Sequence, residues 1–64
     1  MSFANNLQLI RKQKGISQEG LAEILNVTRQ AVSKWEQGLA YPEIAKVMEI
    51  SNYFGVSIDH LLKE

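Results

Sequence analysis

The sequence contains no cysteine, which excludes a disulfide framework and a thiolate metal site and permits a reducing, intracellular location. No apolar run approaches the roughly 18 residues of a membrane span, and the first residues lack the basic-then-apolar layout of a secretion signal. A soluble, cytoplasmic protein without a membrane partner is expected. No segment alternates polar and apolar residues over a useful length, and neither repeats nor low-complexity tracts occur. Net charge is also missing. Seven basic residues balance seven acidic ones, giving a pI of about 6.6, whereas nucleic-acid binders usually carry a basic surplus. Chemistry-bearing clusters are equally scarce. His60 stands alone beside Asp59, Ser33 has no neighbouring histidine to activate it, and no glycine-rich phosphate loop appears. Neither an enzyme, nor a metal, nor a cofactor is expected.

What is present is a pattern of short amphipathic helices. The chain has 64 residues, of which 45% are hydrophobic, enough for one small folded domain near the lower size limit for a lone core. Phe3, Leu7 and Ile10 recur at i, i+4 and i+7 and mark a first helix from about Ser2 to Lys14, stopped by Gly15. Ser17 suits the N-cap of a second helix with Leu21, Ala22 and Leu25 as its apolar stripe. Gly20 inside that helix costs about 1 kcal/mol relative to alanine, so packing must hold it. Asn26 tolerates the left-handed conformation that ends a helix sharply.

Thr28 is the next N-cap candidate, for a helix from Arg29 to Gln37 that Gly38 closes. After a connector from Leu39 to Pro42, a fourth helix is predicted with Ile44, Val47, Ile50, Ser51 and Phe54 facing inward, Glu43 at the positive end of its dipole and Gly55 closing it. Ser57 then caps a short last helix with Ile58, Leu61 and Leu62 inward. The expected fold class is all-α: a compact five-helix domain over residues 1–64.

The third helix has an unusual distribution. In VTRQAVSKWEQG, residues Arg29, Gln30, Ser33, Lys34 and Gln37 line one face, while Ala31, Val32 and Trp35 point the other way. A polar helix face can simply be solvated. Charge distribution adds weight to a functional reading, because residues 1–38 carry a net +2 and the remainder −2.

The stretch ISQEGLAEILNVTRQAVSKWEQG, with RKQKGISQ before it and YFGVSIDHLL after it, resembles the lambda-repressor-like (Cro/C1-type, XRE) helix-turn-helix regulators. The likeness runs over about residues 5–62, with the motif itself at about 17–37. Ala22 falls at the close approach of the two motif helices, Asn26 at a turn where the family commonly has glycine, and Val32 between the helices. The resemblance implies a sequence-specific regulator of transcription, a repressor or autoregulator that binds a palindromic operator in double-stranded DNA as a homodimer. On matching positions it implies base contacts from Arg29, Gln30, Ser33 and Lys34, since Arg pairs bidentately with guanine and Gln with adenine. It implies phosphate contacts from Gln18 at the start of the second helix, with Trp35, Gln37 and Gly38 as a second line; Trp35 is also expected to place most of its ring in the core.

The same resemblance implies an ion pair of Arg11 with Glu36 that fixes the tilt of the reading helix, and a dimer contact around Val56, Ile58, Leu61 and Leu62. Family members often carry lysine where this chain has Leu39, which implies one phosphate contact fewer and weaker non-specific binding. The alternative is a protein-interaction module on the same fold, such as an antitoxin-like chain with a protein partner. Leu9, Ile24, Leu39 and Tyr41, which fall off the expected core positions, would then mark the contact surface.

Overall fold

A computed structural model describes residues 2–63. Five helices follow one another: α1 (Phe3–Gln13), α2 (Gln18–Leu25), α3 (Arg29–Gln37), α4 (Ile44–Phe54) and α5 (Ile58–Leu62). Their boundaries are set by local chemistry. Ser17 Oγ accepts from the Gly20 N–H at 2.9 Å, Thr28 Oγ1 from the Ala31 N–H at 3.1 Å, and Ser57 Oγ from the His60 N–H at 3.0 Å. Each satisfies an amide that the helix cannot pair internally. At the other ends, Asn26 (φ 59°) and Gly38 (φ 75°) adopt the left-handed conformation. The reversal at Asn26 lets α3 start with only three residues between it and the end of α2.

The core is assembled from the stripes of all five helices: Phe3, Leu7 and Ile10; Leu21, Ala22 and Leu25; Val32 and Trp35; Val47, Ile50 and Phe54; and Leu61. Helix α1 packs on α3 and α5, α2 on α3 and α4, and α4 on α5. Ala22 and Val32 are both buried, as expected for the seam between the motif helices. The recognition helix candidate α3 is thus clamped from two sides, by α1 and α2, with its polar face left open.

Two expectations about the second half need correcting. Ile44 is 65% exposed; as the first residue of α4 it lies on the flank away from the side defined by Val47, Ile50 and Phe54. Leu62 is 46% exposed, because α5 is short enough that only Leu61 reaches the core fully, with Ile58 packed partly against it. Ser51, expected inward, is half-buried, and its hydroxyl donates to the Val56 carbonyl across the α4 to α5 turn.

Long-range polar ties hold the helices in register. Asn6 Nδ2 on α1 donates to the Leu61 carbonyl at 2.8 Å and the Lys63 carbonyl at 2.7 Å. These are carbonyls at the end of α5 that lack an intrahelical donor. Lys46 Nζ on α4 donates to the Leu25 carbonyl at 2.6 Å and lies 3.3 Å from Glu49. A cation there also complements the negative end of the α2 dipole.

Candidate nucleic-acid interface

Thr28 and Gly38 fix where α3 begins and ends, and burial of Val32 and Trp35 fixes its rotation. With that rotation set, Arg29, Gln30, Lys34 and Gln37 are exposed and Ser33 is half-buried beside them. Gln37 Nε2 donates to Ser33 Oγ at 2.8 Å, one turn back along the same face. The chain therefore presents a row of donors and acceptors with two cations, Arg29 and Lys34, neither held in an ion pair within the described residues.

Beneath this face lies a buried polar network. Glu36 Oε2 accepts from Arg11 Nε at 2.6 Å and Glu36 Oε1 from Arg11 Nη2 at 2.9 Å, a two-pronged pair. Only 1% of the Glu36 side chain is exposed. A third N–H of the guanidinium is used at the Ile16 carbonyl, 2.8 Å from Nη1, in the link between α1 and α2. The hydrogen bond that Arg11 donates to Glu36, against the opposing effect of burial, raises the Arg11 pKa above its ordinary value. Two buried charges that neutralise one another in a two-pronged geometry, with no buried side-chain polar atom of the described residues left unpartnered, offset much of their desolvation cost. The pair ties α1 to the last turn of α3.

Gln18 completes that network in a way the sequence did not reveal. As first residue of α2 it is half-buried, and its Nε2 donates to Glu36 Oε1 at 3.1 Å. One edge of its amide is therefore engaged inward, while the residue still lies at the open start of α2. Trp35 is only 6% exposed, so its ring belongs to the core and at most an edge is left for the surface. Gly38 is exposed at the end of α3. Of the four residues expected at a dimer contact, Leu61 has 0% exposure, so its side chain is consumed within the fold and offers nothing to a partner. Val56 and Ile58 are half-buried against the core, and Leu62 is the exposed member.

Sequence reasoning also missed Lys46 and Asn6, because their partners are carbonyls 21 and 55 positions away and no spacing rule announces such a tie. Among the described residues no cluster of three or more His, Asp or Glu side chains could hold a metal ion. No helix there is long and apolar enough to cross a membrane.

Two helices joined by a left-handed turn, the second carrying an open polar face over a clamped apolar one, define a helix-turn-helix domain. Residues 7–61 match the helix-turn-helix family profile, and the chain belongs to that family, in its Cro/C1 type. It is 48% identical over 62 residues to the HTH-type transcriptional activator BcrR of Enterococcus faecalis, covering 97% of this chain and 30% of that protein. It is 43% identical over 61 residues to the SPbeta prophage-derived HTH-type regulator YonR of Bacillus subtilis, covering 95% of this chain and 56% of that one. The chain thus spans from under a third to a little over half of the length of these relatives. Among solved structures, the P22 c2 repressor in complex with a synthetic operator superposes with a TM-score of 0.91 at 27% identity, covering 98% of this chain and 96% of that one.

Proposed function

We propose that this domain is a sequence-specific DNA-binding regulator of transcription that lays α3 in the major groove. The observation that carries the reading is the open face of Arg29, Gln30, Ser33 and Lys34 on a helix whose other side is locked by Val32 and Trp35. A groove about 12 Å wide admits one helix, and these side chains supply the donors and acceptors that distinguish base pairs. In helix-turn-helix docking, the reading helix enters by its first turns while the preceding helix meets the backbone. Arg29, Gln30, Ser33 and Lys34 then face base edges. Gln18, Gln37 and Gly38 face phosphates, and Trp35 contributes at most its ring edge.

The net charge of zero is compatible with this reading. Arg11 and Glu36 cancel internally, and Lys46 is spent on Leu25 and Glu49, whereas Arg29 and Lys34 remain on the reading face. Local field, rather than the total, attracts a phosphate backbone. The named relatives regulate in both directions, BcrR as an activator and P22 c2 as a repressor. Regulation is therefore the level at which they agree; repression, the sign expected from the sequence, is that of the P22 protein. A cytoplasmic location follows from DNA as the partner.

A single short helix reads few base pairs, and regulatory affinity calls for two. The domain accordingly acts as a homodimer on a palindromic operator, with the contact built from Leu62 and the partly exposed Val56 and Ile58. The experiment that tests the function is titration of random-sequence duplex across a salt series: affinity falls steeply with salt if the cations of this face meet phosphates. Salt-independent binding, or none, overturns it.

A further inference from the structure

The Arg11–Glu36 pair has a second partner that a purely structural brace does not need. Glu36 Oε1 accepts not only from Arg11 Nη2 but also from Gln18 Nε2, and Gln18 is where α2 opens to the surface. An ionised carboxylate can only accept hydrogen bonds. It therefore dictates which way the Gln18 amide faces: with Nε2 inward the contact is attractive, and with Oε1 inward two oxygen lone pairs would collide. Arg11 in turn prevents Glu36 from turning away, because both of its carboxylate oxygens are engaged and its side chain is buried. Gln18 has two amide protons, and only one is used.

We propose that Glu36 is a positioning residue for DNA binding: its carboxylate, locked by Arg11, fixes the Gln18 amide so that its second N–H is presented to a backbone phosphate. This rests on the DNA-binding reading above and deepens it. A loose glutamine would lose side-chain rotamer freedom on meeting DNA, whereas one already held does so at less cost. The proposal differs from a brace that merely sets the tilt of α3, since tilt would alter which base edges the side chains reach, whereas Gln18 touches only the sequence-independent backbone.

The test compares four proteins on a panel of duplexes of different sequence: unmodified, Gln18→Ala, Arg11→Met with Glu36→Met, and the triple variant. Gln18→Ala weakens binding about tenfold on every duplex, the effect of one hydrogen bond to a charged group. Its salt slope is unchanged, because a neutral side chain displaces no counterion. Replacing the ion pair produces the same uniform loss, and adding Gln18→Ala to it costs less than about a further twofold. If Gln18→Ala costs the same factor in both backgrounds, or if losing the pair reorders the duplexes, Glu36 does not act through Gln18.

A second measurement needs neither DNA nor a folded variant. In the NMR spectrum of the unmodified protein, the two proton signals of the Gln18 side-chain amide are displaced from the positions of a solvated glutamine, and the proton facing Glu36 exchanges slowly with solvent. Shifts and exchange like those of a solvated glutamine overturn the proposal. Failure of the unmodified protein to bind any duplex, with the held amide still observed, would instead overturn the DNA reading on which the inference rests.

Discussion

Gln30 stands at the exposed second position of α3 and makes no hydrogen bond to another described residue's side chain. Its replacement by alanine therefore leaves the thermal melt within about 0.5 kcal/mol of the parent but removes about 1–3 kcal/mol of preference at one base pair. Competition binding against operators altered one position at a time checks this; equal loss on every sequence would reassign Gln30 to the backbone. Glu36 behaves in the opposite way. Glu36→Ala strands the Arg11 guanidinium in a buried site at a cost of about 3–5 kcal/mol, whereas Arg11→Met together with Glu36→Met removes both charges and costs less. Denaturant melts of the two variants decide it, and a more stable single variant contradicts a buried pair. The raised Arg11 pKa gives this contribution a simple pH dependence on the basic side. It is fully present below the ordinary arginine pKa and is lost only as pH climbs through the raised one, beyond any working pH.

Helix ends were the most legible part of the sequence, because a cap depends on residues three or four apart. Ser17, Thr28 and Ser57 cap, and Asn26, Gly38 and Gly55 reverse the chain, each within reach of local reasoning. Which residues face inward was legible for most of the apolar stripes, Phe3, Leu25 and Phe54 at helix ends included. Ile44 and Leu62 are the exceptions, the first residue of α4 and the last of the five-residue α5, where periodicity alone did not fix the facing. The ties from Gln18 to Glu36, Lys46 to Leu25 and Asn6 to Leu61 join helices across the fold, so only three-dimensional packing reveals them. The turn between α2 and α3 offers a test at this scale. Asn26→Gly keeps or slightly raises stability, since glycine adopts its φ of 59° without strain, while Asn26→Ala costs about 1–2 kcal/mol. Paired thermal melts check the order; an alanine variant as stable as the glycine variant would mean the turn can relax.

At the scale of the whole domain, the described residues form a nearly isometric body of 24 × 23 × 22 Å, with the open polar face of α3 on its surface. Two such bodies bound on one side of B-DNA must place their α3 helices about 34 Å apart, one turn of the duplex. A duplex with two half-sites at that spacing then binds two chains cooperatively, and inserting about half a turn between the halves abolishes the cooperativity. Sedimentation on the two duplexes reads this out, and an insertion without effect would leave each domain acting alone. The direct test of the central claim, that the open face of α3 reads bases, is selection of bound duplexes from a random pool by the unmodified protein and by Gln30→Ala. The account predicts one enriched motif for the parent and loss of preference at a single position of it for the variant. Enrichment of no motif by the parent, or the same motif undiminished from both proteins, would contradict it.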